Sequence, residues 1–269
     1  MTSINSNSPI SVVIASRLLD LARTRFINDE ALQSHTAGRE YASLMMSFLL
    51  HFCSTIDSFI SLWKLNPNIF PVSNALVLTR CLFEVNVTAL YISDNSKERS
   101  ISFIEFHNVL RMQAFNRLSK LNNVNNSQWS PFITAVLQQE YIPDQKTIEQ
   151  EYARVKNQFE FTDRNGKVRV FSKWANKSLK EIAIAVNHEV EYDLFYPELS
   201  EFTHSTVHLA DLFLRSKQYP PQWTTRSDEK NVDIVFAYAS EFFSCFLSRF
   251  SKEFKLNLQK EIDDCAIVK

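Results

Sequence analysis

Two glycines, Gly38 and Gly166, are all that 269 residues contain, where average usage would give roughly 19 at about 7%. Glycine supplies the positive φ and the close backbone approach that tight sheet turns and phosphate-cradling loops need. A chain this poor in it carries no GxGxxG dinucleotide loop, no Walker P-loop and no nucleophile elbow. Many-stranded sheets are disfavoured for the same reason, which leaves helices. The expected fold class is all-α: one domain over residues 1–269, built as a bundle of about eight helices. A small irregular or hairpin insertion is expected near residues 160–175, and no cofactor.

Apolar residues recur at three- and four-residue steps, the signature of amphipathic helix. A first helix is expected over Ile10–Asn28, with Leu18, Leu19 and Leu21 on its apolar side. A second runs from Thr36 to Leu65, where Leu44, Phe48, Phe52, Ile56, Phe59 and Trp63 recur at those steps and Asn66-Pro67-Asn68 ends the pattern. Pro71 and Ser73 open a third that reaches Ile92, and a fourth covers Lys97–Leu121. Beyond an Asn-rich break, shorter helices are expected at Pro131–Gln139, Gln145–Phe159 and Ser178–Asn187, the last with Ser178 as N-cap. Asn165-Gly166 is the one hairpin signal. Glu191–Leu214 reads as a long apolar helix whose entry Pro197 makes irregular, and Asn231–Leu258 as the last helix.

A formal net charge of −1 provides no global field to recruit nucleic acid or an anionic membrane, although a local basic groove stays open. Arg99, Arg111, Arg117 and Lys120, with Phe103, Phe106 and Phe115, could track a nucleic-acid backbone. Glu98 and Glu105 interrupt that field, and an ordinary solvated face is the simpler reading. The cysteines Cys53, Cys81, Cys245 and Cys265 are too scattered for a CxxC ligand pair and read as reduced thiols in a reducing compartment. Residues 1–13 lack a basic stretch ahead of an apolar one, so no signal peptide is expected and the expected location is cytoplasmic. Tyr41–Trp63 and Val72–Ile92 are each long enough to span a membrane. His51 and Asp57 in the first, and Arg80 and Glu84 within the second, favour buried helices instead, with no membrane partner.

Two groups of polar residues stand out against these apolar helices. Arg80 and Glu84 lie at i,i+4, close enough to pair, and form either a polar site or an ion pair that pins helix register. Farther on, Glu201, His204, His208 and Asp211 fall at i, i+3, i+7 and i+10 on one helical stripe, with Ser200 four residues before His204. Glu201, His204 and His208 are of the types that ligate a transition metal, although the second Glu-x-x-His of a di-iron bundle is missing. Alternatively, His204 or His208 held by a carboxylate could act as general base in phosphodiester cleavage. The Arg–His spacing of the HEPN class of helical ribonucleases is absent, Arg99 and His107 being one residue too far apart. A Ser200–His204 nucleophile lacks a glycine-bearing oxyanion loop. A buried hydrogen-bond network joining two helices accounts for the stripe as well.

Leu78-Thr79-Arg80-Cys81-Leu82-Phe83-Glu84, followed by Tyr91 and Arg99, resembles an opening motif of a bacterial family called domain of unknown function 5677. Trp174, the pair Tyr192 and Tyr196, and Ser200 followed four residues on by His204 resemble that family's later motifs. The similar segments lie within roughly residues 70–215. This resemblance implies an all-helical protein in which Arg80, Glu84, Tyr196, Ser200 and His204 belong together, whereas His208 and Asp211 lie outside the motif. Genes of this kind often sit near mobile elements and defence systems, so the resemblance implies, by analogy, a phage-defence or toxin-like effector. Such an effector would act on RNA or DNA as a metal-independent phosphodiesterase, with those five residues catalytic. Two alternatives stay open: a non-enzymatic helical interaction protein in which the cluster is structural, and a metal-binding bundle. A homodimer or a helical protein partner fits the 22 phenylalanines, which can feed an interface as readily as a core.

Overall fold

Apolar spacing becomes helix almost throughout the computed structural model, which describes residues 8–27, 38–67, 70–122, 130–141, 143–203 and 229–267. The long helices are α1 (Ile10–Leu21), α2 (Arg39–Leu65), α3 (Val72–Asp94) and α4 (Ser96–Asn122). There follow α5 (Ser130–Val136), α6 (Gln145–Phe159), α7 (Leu179–Ala185), α8 (Glu189–Thr203), α9 (Glu229–Glu253) and α10 (Gln259–Ala266). Single π-helical turns extend α1 over Ala22–Phe26 and α5 over Leu137–Tyr141. The fold is all-α, and the described residues add one two-stranded sheet.

Two expectations need correction. Asn231–Leu258 is not one helix: the chain turns after Glu253 with Lys255 in the left-handed region at φ 56. The Leu256 N–H then donates back to the Ser251 carbonyl at 2.9 Å, which closes the helix end before α10 begins. Pro197 does not make the start of its helix irregular, because α8 starts two turns earlier at Glu189 and runs through it. The missing N–H frees the carbonyl of Asp193, and both residues lie on the exposed side of the helix, where water can take the bond.

The chain divides into two compact units, one made of Met1–Ser96 and Leu179–Lys269 and the other of Lys97–Ser178. In the first, α3 and α9 pack against each other along much of their length. The α1 and α2 helices lie against α9, α7 and α8 against α3, and α10 against α1 and α9. Phenylalanine fills the centre: Phe52 stacks on Phe243 and Phe246 at centroid distances of 5.3 and 5.0 Å, and Phe83 meets Phe242 edge-on at 5.2 Å. All five rings are buried. Tyr41 is also buried, stacked on Phe254 at 6.0 Å, and shares a 2.8 Å hydrogen bond with Ser93. Burial holds its phenol well above the ordinary range, so it stays neutral. Two of these helices, Arg39–Leu65 and Val72–Asp94, are long and apolar enough to cross a membrane, and 56% and 61% of their most apolar stretches are buried within the fold.

In the second unit α4 and α6 share a small core of Phe106, Val109, Val155 and Phe159, against which Tyr152, Val170, Phe171 and Trp174 pack. The hairpin signal is realised here: β1 (Glu160–Thr162) pairs antiparallel with β2 (Val168–Val170), Phe161 opposite Arg169. Gly166 takes φ 74 in the connecting loop. Asp163 closes that loop, its Oδ1 accepting from the backbone N–H groups of Asn165 at 2.9 Å and Lys167 at 3.0 Å.

Two substitutions test this packing. Phe243→Ala should destabilise by about 3–5 kcal/mol, read as a lower midpoint in denaturant unfolding. Gly166→Ala should lose about 1–2 kcal/mol. A methyl group there would meet nothing within 4 Å, so the loss is conformational, and Gly166→Asn should recover part of it.

Candidate functional site

Arg80 sits in the middle of α3 with its side chain only 17% exposed. A guanidinium in such a place must find partners, and it finds two. Its Nε donates to Glu84 Oε1 at 2.9 Å, one turn along the same helix. Its Nη2 donates to the Tyr196 hydroxyl at 2.7 Å, across to α8. The guanidinium carbon also lies 4.7 Å from the centre of the Tyr196 ring, within cation–π range. Tyr192, one turn earlier on α8, stacks on Tyr196 at 4.7 Å, and both rings lean on Phe83. The sequence places these groups simply: Arg80 and Glu84 are i,i+4 on one helix, and Tyr192 and Tyr196 are i,i+4 on the other.

Electrostatically the cluster is quiet. Burial, reinforced by the Glu84 carboxylate and opposed by Arg80, holds the Tyr196 phenol above its usual range. It is therefore a neutral hydroxyl at ordinary pH, with its oxygen accepting from Arg80. Glu84 opens to solvent, its side chain 39% exposed. Ser200 lies one turn beyond Tyr196 and is half-buried. Among the described residues no hydrogen bond joins it to Arg80 or Glu84. Glu201 continues α8, while His204, His208 and Asp211 lie outside the described residues. The geometry thus brings together Arg80, Glu84 and Tyr196 from the expected set. The serine–histidine pair and the Glu201, His204, His208 metal set fall partly or wholly beyond it. Among the described residues no three His, Cys, Asp or Glu side chains gather closely enough to hold a metal ion.

On α4 one base and one acid are paired across to neighbouring residues. Arg111 pairs with Asp144 at 3.1 Å and Glu151 at 3.7 Å, and Glu105 is taken by Arg154 at 3.0 Å. Sequence reasoning passed over a different set in the first unit. Cys245 Sγ lies 3.5 Å from His188 Nε2, and His188 Nδ1 lies 3.5 Å from Glu191 Oε1. Cysteine and histidine are far apart in the chain and the cysteine reads as core. The one local signal is His188-x-x-Glu191 at a helix start.

A family model matches residues 42–219, that of a family of unknown function, DUF5677. No curated protein matches the chain, and no solved structure does.

Tyr196→Phe keeps the ring stack and removes only the hydroxyl, and should lower stability by about 1 kcal/mol. A double-mutant cycle with Arg80→Ala should give a coupling of about 1 kcal/mol, the size of the one hydrogen bond, because the ring beneath Arg80 is kept in both backgrounds. Because the folded phenol ionises later than the unfolded one, the unfolded chain releases its proton first as pH rises. Stability is therefore full below the ordinary tyrosine value of 10.0 and falls above it. Melting temperatures taken through that range should fall less steeply in Tyr196→Phe than in the wild type.

Proposed function

The chain belongs to DUF5677, a family of unknown function, and from that premise we propose that it is a non-enzymatic helical interaction protein that binds through the outer face of α8. One observation carries this reading. Val190 and Leu194, at i,i+4 on α8, are 67% and 62% exposed, and the exposed Pro197 continues their line. The other side of the same helix carries Tyr192 and Tyr196, held on α3 through Phe83 and Arg80. A helix locked on one side presents its apolar side in a fixed orientation, which lowers the ordering penalty on binding. In this reading the Arg80–Glu84–Tyr196 cluster is a structural latch, and every hydrogen bond given above for Arg80 stays within it.

The partner we propose is a second copy, with α8 meeting its own symmetry mate, since a self-complementary apolar face favours a two-fold contact. Light scattering over a concentration series is the test. The wild type should run as a dimer and Leu194→Glu as a monomer, with melting behaviour set by the monomer fold alone. A wild type that stays monomeric throughout overturns the reading.

The competing reading is a phage-defence or toxin-like effector that cleaves nucleic acid through Arg80, Glu84, Tyr196, Ser200 and His204. The observation in its favour is the opening of the Glu84 carboxylate to solvent, since a substrate must be able to reach the cluster. Expression in bacteria separates the two. If Glu84→Gln and His204→Ala abolish a growth phenotype while the melting temperature holds, the cluster is catalytic.

A further inference from the structure

His188 is fixed by backbone from both sides. The α7 helix ends with Asn187 in the left-handed region at φ 61. The Asn187 N–H then donates to Ile184 O at 3.1 Å and the His188 N–H to Ala183 O at 2.8 Å, a Schellman closure. The carbonyl of the same His188 accepts from the Tyr192 N–H at 3.0 Å as the first bond of α8. Its ring is therefore delivered to one place, between a carboxylate and a thiol. Glu191, in the first turn of α8, faces Nδ1 at 3.5 Å, which favours the proton on Nδ1 and leaves Nε2 as the acceptor toward Cys245 Sγ at 3.5 Å.

A second, independent observation lies beside the sulfur. Asn86 of α3 is completely buried, and neither its amide nitrogen nor its oxygen has a hydrogen-bond partner. It borders the Cys245 thiol without a well-formed hydrogen bond to it. An unpaired buried amide is expensive, and here it borders a thiol that has an imidazole in contact. Burial holds the Cys245 thiol above its ordinary range; Asn86 and Arg249 oppose this, and Glu241 and Glu191 reinforce it. The sulfur is thus a protonated thiol at neutral pH and needs a base in contact to react.

We propose that Cys245 is an acyl-accepting thiol, with His188 as its base, Glu191 as the residue that positions the imidazole and the Asn86 amide as donor to the acyl oxygen. The donor is an activated ester or a thioester. As Sγ attacks the carbonyl carbon, its proton passes to His188 Nε2. A carbon–sulfur bond forms, and the donor's carbon–oxygen or carbon–sulfur bond breaks with the electron pair leaving on the departing atom. His188 then returns the proton to that leaving group, so no oxidant or reductant is required. The product is a thioester on α9. This inference does not rest on the proposed dimer, because Cys245 lies in the single chain.

Acetylation of the full chain by p-nitrophenyl acetate, located by peptide mass mapping, tests it. Cys81 and Cys265, partly exposed like Cys245, serve as internal controls. Cys245 should be acetylated first, and His188→Ala should slow it by about a hundredfold, with partial rescue by added imidazole. Glu191→Gln, at a side chain 35% exposed and so mild for the fold, should slow it less than His188→Ala does, because the imidazole is kept and only its orientation is loosened. The proposal is overturned if Cys245 reacts no faster than Cys81 and Cys265. It is equally overturned if His188→Ala and Glu191→Gln both keep the wild-type rate.

Discussion

The aromatic seam between α9 and the helices around it is the interaction on which the first unit depends. Phe236, Phe242, Phe243, Phe246 and Phe250 are all buried on one helix and contact rings from α1, α2, α3 and α8. Phe26 meets Phe250 from the π-helical turn that extends α1, and Phe59 meets Phe236 from α2. Phe195 of α8 packs on Phe242. Each ring removes a large apolar area from water, and edge and stacked contacts add directional preference. Cavities here are expensive because interiors pack at crystal density. Within the first unit the Ile10–Leu21, Arg39–Leu65 and Val72–Asp94 helices each take one side of this seam.

The Arg80 latch is a polar device set on that apolar frame. Its Coulombic value is modest, since Glu84 is well hydrated, and its geometric value is larger. Arg80 reaches α8 at one hydroxyl, while Phe83 reaches the same two tyrosines through contact alone. Polar and apolar contacts from residues about one turn apart on α3 therefore hold the same turns of α8. On the proposed reading, an expensive side chain in a largely buried helix has a use: its donors fix where α8 lies, which dispersion alone specifies poorly.

Much of this was legible in the residues. The scarcity of glycine excluded large sheets, and Asn165-Gly166 located the hairpin because its loop needs the left-handed backbone that Gly166 adopts readily. Arg80 and Glu84 were legible because i,i+4 spacing is local. Tyr196 was legible only through the family resemblance, because nothing local ties it to a helix more than a hundred residues earlier. The break after Glu253 was hidden because Lys255 and Asn257 adopt the left-handed region without a glycine to announce it. The Cys245–His188–Glu191 set was hidden for a deeper reason. A cysteine flanked by phenylalanines has the same pattern whether it is filler or nucleophile, and only the tertiary approach of His188 distinguishes them.

The first unit is assembled from both ends of the sequence, with the second unit's residues between. A growing polypeptide therefore completes α1, α2 and α3 long before the helix that seals their aromatic faces emerges. Phe52, Phe59 and Phe83 must wait, wet and adhesive, while the intervening stretch is translated. Truncation upstream of α9 would leave those aromatic faces uncovered, and exposed apolar surface of that kind makes a partly folded chain prone to aggregate.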